Sequence, residues 1–156
     1  VTFRPEQVTI HVSDADTVLA RWENVLVQVR RGPMTEATLS QIASIVRSTN
    51  ARHDGPSGAL SIIEPEAPVS SLEMRRRQSQ VIGDLMRDDR NHVAVITPGE
   101  GVGASLARSV ARLLIRGNRR IAVLATLDEA IDWLAPRLGR TEAELGALAE
   151  FARSLR

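Results

Sequence analysis

Val8, Ile10 and Val12 alternate with polar neighbours, the two-residue period of a half-buried strand over about 6–12, and Ser13-Asp14-Ala15-Asp16 supplies turn chemistry after it. A second extended stretch runs from Thr17 to Arg30. Its apolar face is carried by Val18, Ala20 and Trp22 and then shifts by one to Val25, Val27 and Val29. The parity break at Glu23-Asn24 is either a bulge in one long strand or a tight hairpin between two. Gly32-Pro33 ends this stretch, and Thr35 opens a helix to about Arg52 whose buried face is Leu39, Ile42, Ala43 and Val46, spaced by three and four. His53-Asp54-Gly55-Pro56 reads as a loop. Ala59, Leu60, Ile62 and Ile63 then form a short apolar run suited to a strand covered on both faces. Glu64-Pro65-Glu66-Ala67-Pro68 stops it, because prolines cannot continue a ladder.

Ser70 and Glu73 have the spacing of a capping box, which predicts a polar, peripheral helix to about Asp88 with Leu72, Ile82, Leu85 and Met86 as its apolar contacts. Val93 to Ile96 is the next buried strand, closed by the loop Thr97-Pro98-Gly99-Glu100-Gly101-Val102-Gly103. A third helix follows, with Leu106, Val110, Leu113 and Leu114 inside and Arg108, Arg112 and Arg116 four apart on the other side. Ile121 to Leu124 is a further strand, and Thr126 with Glu129 repeats the capping spacing before a short helix carrying Ile131, Trp133 and Leu134. Pro136 to Gly139 is expected to break the chain. Thr141 with Glu144 opens a final amphipathic helix with Leu145, Leu148, Phe151 and Leu155, which would pack on the domain or on a partner. Strands alternating with helices imply right-handed crossovers. The expected fold is α/β, a mixed, mostly parallel sheet with leading antiparallel strands and helices packed on it. It would form a single domain over 1–156, with its core in 17–137, an extra N-terminal strand in 1–16 and a C-terminal helix in 140–156.

Composition narrows the function classes. The chain has 156 residues, 43% apolar and 25% charged, which describes one ordinary domain with a single core. No apolar run approaches the roughly 18 to 20 residues of a membrane span, and Val1 to Glu6 has no basic segment leading into an apolar one, so the expected location is the cytoplasm. The absence of cysteine removes disulfides, thiolate metal sites and cysteine nucleophiles. All 20 basic residues are arginine, so there is no Schiff-base lysine, lysine general base or phosphate-loop lysine. With a net charge of +1, nucleic-acid binding would need a local patch rather than bulk charge.

Two segments carry a family resemblance. The hairpin leading into Gly32-Pro33-Met34-Thr35-Glu36-Ala37-Thr38-Leu39, and the closing strand and helix Ile121-Ala122-Val123-Leu124-Ala125-Thr126-Leu127-Asp128-Glu129-Ala130-Ile131-Asp132-Trp133-Leu134, resemble the STAS-like, or SpoIIAA-like, family of anti-sigma-factor antagonists over roughly 17–137. The resemblance implies a non-enzymatic bacterial regulatory domain acting by protein–protein contact through the loop 64–72 and the helix after it. In such antagonists the loop after the central strand carries a phosphorylatable Ser or Thr in an Asp-Ser-Ser-Gly-like context. The matching place here reads Pro68-Val69-Ser70-Ser71-Leu72-Glu73, with Val69 and Leu72 where the pattern has Asp and Gly. Phosphate on Ser70 or Ser71 would add about two negative charges beside a helix N-terminus. The competing reading is a plain helix N-cap.

Other candidates come from the residues alone. Gly99, Gly101 and Gly103, with Ser105, lie between a strand and a helix, where backbone N–H groups would approach an anion or nucleotide; a tight turn with close helix packing competes with this. The loop lacks the Walker lysine, and as a dinucleotide fingerprint it follows a late strand rather than the first. Arg75, Arg76 and Arg77, with Arg108 and Arg112, would form a basic surface for an acidic protein partner, or simply a solvated face. Aromatic residues make up only 3% of the chain, which disfavours nucleic acid. The acidic pairs Asp14/Asp16, Glu64/Glu66 and Asp88/Asp89 read as turn and cap residues, and His11, His53 and His92 have no triad context. No catalytic residue, metal site or cofactor is expected. Besides the regulatory reading, two alternatives stand: a small-ligand sensor at 98–105, and a carrier of a lipid or apolar ligand, since related α/β folds cover apolar cavities. A homodimer is left open.

Overall fold

In a computed structural model, residues 2–97 and 118–156 are described. Six strands form one sheet in which spatial order follows chain order: β1 (Thr9–Ser13), β2 (Thr17–Trp22), β3 (Val25–Arg30), β4 (Ser57–Ile63), β5 (Asn91–Ile96) and β6 (Ile121–Leu124). The first three run antiparallel to one another, and β3 through β6 run parallel. Four helices are described: α1 (Glu36–Arg52), α2 (Leu72–Leu85), α3 (Leu127–Leu138) and α4 (Glu142–Ser154). This is the mixed sheet with leading antiparallel strands that the hydrophobic pattern implies. No described helix is long and apolar enough to cross a membrane.

The parity break at Glu23-Asn24 is a hairpin. Trp22 pairs with Val25, so these two residues are the whole turn, and Glu23 takes a left-handed φ of 51°. Two-residue hairpins favour turns with positive φ because their twist matches that of the strands. Asn24 is buried there, its Nδ2 donating to Pro56 O at 2.6 Å and its Oδ1 accepting from Arg140 Nε at 2.9 Å.

Four sequence expectations shift. The first strand starts at Thr9 rather than near 6, because Pro5–Gln7 forms a 3-10 turn with proline at its start. The cap of α2 is Ser71, not Ser70: Ser71 Oγ accepts from Met74 N at 3.1 Å. Leu72 is therefore on the first turn and faces solvent, 56% exposed, rather than packing inward. Pro136 lies inside α3 instead of ending it. The proline forgoes one hydrogen bond, while the buried neighbours Ala135 and Leu138 hold the last turn against the core. Gly139 caps the helix three residues further on, with φ 64° and Arg140 N donating back to Ala135 O at 3.0 Å, a Schellman closure.

Side chains alternate between the two faces of the sheet. One face carries Val18, Ala20, Trp22, Val25, Val27 and Val29 from the hairpin, with Leu60, Ile62, Ala94 and Ile96 from β4 and β5, all but shut off from water. It is covered by α3 and α4, whose Ile131, Leu134, Leu145 and Leu148 are buried against it. The final helix thus packs on its own domain. The other face has a smaller buried cluster, Leu19, Leu26 and Ile45, with Val12, Ile42, Val46 and Ala59 half-buried around it.

Candidate functional site

On this second face a cavity of about 420 Å³ opens between the sheet and helices α1 and α2. Its floor is the alternate residues of consecutive parallel strands: Leu26, Gln28 and Arg30 of β3, Ala59, Ser61 and Ile63 of β4, Val93 and Val95 of β5, and Ile121 and Val123 of β6. Ile42 and Val46 of α1 and Val81, Ile82 and Leu85 of α2 form its walls, and the loop from Glu64 to Ser70 closes one end. Ile42, Val46, Ile63, Val93, Val95 and Ile121 are all half-buried, whereas the opposite face is shut. Of the expected α1 face, Leu39 and Ala43 are buried, while Ile42 and Val46 pack half-buried against the Leu19–Leu26–Ile45 cluster and line the cavity. Interiors are packed with few voids larger than a water molecule. Small-molecule pockets typically measure about 300–1,000 Å³ and are mostly apolar with a few placed polar groups.

The two ends of the cavity differ in how their polar groups are satisfied. At the amino ends of β4 and β5, Ser57 Oγ lies 2.9 Å from Asn91 Oδ1 and also contacts the Asn50 side chain. Asn50 Nδ2 donates to Asp88 at 3.1 Å, and Arg90 grips the same carboxylate with Nε at 3.0 Å and Nη2 at 2.7 Å. These bonds hold the Asp88 carboxyl well below the ordinary range, at about 2. Arg120 adds bonds to the carbonyls of Asp88 and Met86 at 2.8 and 2.7 Å. This end is a closed structural network.

The carboxyl ends of the strands are different. Gln28 and Arg30 are only 8% and 7% exposed. Ser61 Oγ donates to Gln28 Oε1 at 3.1 Å, which leaves Gln28 Nε2 buried without a partner. Arg30 Nη1 donates to the carbonyls of Pro68 and Gly32 at 3.2 and 3.4 Å, and among the described residues no carboxylate pairs with it. Burial pulls the Arg30 guanidinium down from its ordinary value, yet an arginine stays charged in proteins. Arg75 on α2 also lines the cavity, with its Nε buried and unpartnered. The nearby acid, Glu64, is held by Arg153 of α4 at 2.7 and 3.2 Å. In open α/β sheets ligands sit outside the carboxyl ends of the strands, where these donors cluster.

The candidates from sequence scatter around this site. Ser70 is half-buried in the cavity wall, and Ser71 is exposed and caps α2. Arg75, Arg76 and Arg77 take three directions, as 100° per residue requires. Arg75 faces the cavity, Arg76 faces solvent, and Arg77 pairs with Glu36 of α1 at 2.7 Å. Gly99, Gly101, Gly103, Ser105, Arg108 and Arg112 lie outside the described residues. Asp14 Oδ1 accepts from the backbone of Asp16 and Thr17 at 2.9 and 2.8 Å, a turn role. His11 is exposed, and His92 Nδ1 lies 3.0 Å from Arg90 O. Among the described residues no group of three or more His, Cys, Asp or Glu is placed to hold a metal. Sequence reading passed over Gln28 and Arg30. They lie on the parity opposite Val25, Val27 and Val29, where polar residues read as the solvent side of a half-buried strand.

No family model and no curated protein matches the chain. Among solved structures it is similar to an uncharacterized protein of the DUF3478 family from Shewanella loihica PV-4, with 23% identity over 81% of this chain and 91% of that one and a TM-score of 0.48. That structure is described as having a SpoIIAA-like fold, the fold that the Gly32–Leu39 and Ile121–Leu134 patterns resemble.

Proposed function

We propose that this domain binds a small, largely apolar molecule between α1, α2 and the sheet, and that it does so without chemistry. The observation that carries the reading is the cavity of about 420 Å³ with half-buried valine and isoleucine side chains around it. Its volume falls in the range of about 300–1,000 Å³ typical of small-molecule pockets, and its lining is mostly apolar. The test is displacement of a fluorescent apolar dye. Wild-type protein is expected to bind it, and Val95→Trp, which fills the floor, is expected to abolish binding while leaving the circular-dichroism spectrum unchanged. Equal binding by the folded variant would overturn the reading.

A second reading, protein contact through the loop 64–72, rests on Val69 and Leu72, which are 85% and 56% exposed. Apolar side chains grouped at such a tip suit a partner surface. The same loop supplies Pro65, Pro68 and Val69 to the cavity, so an occupied cavity would present a different outer face to a regulatory partner. Leu72→Asp, outside the cavity lining, is expected to abolish co-purification with a defined partner while sparing dye binding. Retained co-purification would remove this reading.

A further inference from the structure

We infer that the bound molecule carries a single anionic oxygen head group, a carboxylate or phosphate ester, seated on Arg30, Gln28 and Arg75 with its apolar body along Val93, Val95 and Ile121. The inference rests on the ligand-binding reading above and adds the chemistry of the head. Taking a cation out of water costs several kcal/mol unless a counter-charge meets it. Arg30 is 7% exposed and has only two carbonyl contacts. Glu64 follows the end of β4 and donates its backbone N to Arg30 O at 2.9 Å, yet its carboxylate is taken by Arg153. The Glu64 backbone thus lies beside Arg30, while its carboxylate pairs with Arg153.

Among the described residues, two unpartnered donors face the same cavity. Gln28 Nε2 and Arg75 Nε are buried without hydrogen bonds, and both residues line the same cavity as Arg30. Ser61 occupies the amide oxygen of Gln28 and so turns its NH₂ outward. A buried guanidinium with two further donor groups around it favours a group that accepts and carries negative charge, and an ionised oxyanion is such a group. A neutral alcohol would satisfy one donor and leave the guanidinium uncompensated.

The experiment is calorimetric titration of the whole chain with decanoate, decyl phosphate and decanol. At least one of the two anions is expected to bind about tenfold tighter than decanol, the value of one charge-assisted hydrogen bond or more, and the stronger of the two identifies the head group. Arg30→Gln is expected to erase that preference for the anions over decanol. Should Arg30→Gln fail to fold, Arg75→Gln is expected to reduce the preference at least threefold. Decanol binding as tightly as both anions overturns the inference and leaves the apolar cavity standing. If none of the three binds, the ligand-binding reading fails and this inference fails with it.

Discussion

The two faces of the sheet are built from the same strands, yet they are finished differently. On the α3/α4 face the hairpin contributes only Val, Ala and Trp and the central strands Leu60, Ile62, Ala94 and Ile96, and the helices that cover it bring Ala130, Leu134, Leu148, Ala149 and Ala152 to zero exposure. Small alanines there let α3 and α4 approach closely and interlock with the valines. On the α1/α2 face the inward parity includes Gln28, Arg30 and Ser61, and α2 contributes one buried residue, Val81. The first face is filled, whereas on the second, among the described residues, the cavity-lining Val and Ile side chains are half-buried and two buried donors have no partner.

The largest test of that difference is truncation. Leu148→Ala on the closed face is expected to cost about 2–5 kcal/mol in urea unfolding. Ile42→Ala, the same kind of loss at the cavity wall, is expected to cost less than about 1.5 kcal/mol, because water or ligand already reaches the site. Equal costs would mean that the second face is packed as tightly as the first.

Gly58 sharpens the comparison at the seam. A Cβ there would lie 2.7 Å from Leu138 Cδ1 and 3.1 Å from His92 O, so Gly58→Ala presses β4 into the base of α3. The expected cost is about 1–3 kcal/mol by overpacking, read as a lower urea midpoint with an unchanged slope. An unaltered midpoint would show that this junction can give.

The pH dependence belongs to the second face. The Asp88 carboxyl has a folded value of about 2 against an ordinary 3.8, so its contribution is complete above pH 4 and fades as pH falls toward 2. Asp88→Asn is expected to lower stability at pH 7 and flatten the acid limb of the stability curve between pH 4 and 2. A variant whose acid limb matches wild type would place the sensitivity elsewhere. The smallest expected effect is on Arg30. Without ligand, Arg30→Met should change stability by less than about 1 kcal/mol or raise it, since it removes an uncompensated buried charge. A loss of 3 kcal/mol or more would make Arg30 a structural anchor instead.

The closed face was legible in the sequence and the open one only in part. Period-two alternation marked both hairpin strands, and the capping pairs Thr126/Glu129 and Thr141/Glu144 placed α3 and α4 at their true starts, each with both reciprocal bonds formed. Ser70/Glu73 misplaced a start by one residue, because adjacent serines offer two registers and only the geometry of Met74 N selects Ser71. Pro136 misled because a breaker's cost is local, while the burial that overrides it comes from Ala135 and Leu138 against distant strands. The site escaped for a related reason. Gln28, Arg30 and Arg75 sit 47 positions apart at the extremes of the set and become one donor cluster only once β3 and α2 share a cavity, and no linear spacing encodes that.

The most direct measurement is methyl NMR of the protein titrated with decanoate. The account expects shift changes at Ile42, Val93, Val95 and Ile121 that saturate together, with Val27, Leu60, Leu134 and Leu148 on the closed face unmoved. Saturating changes on the closed face, or none at all around the cavity, would contradict it.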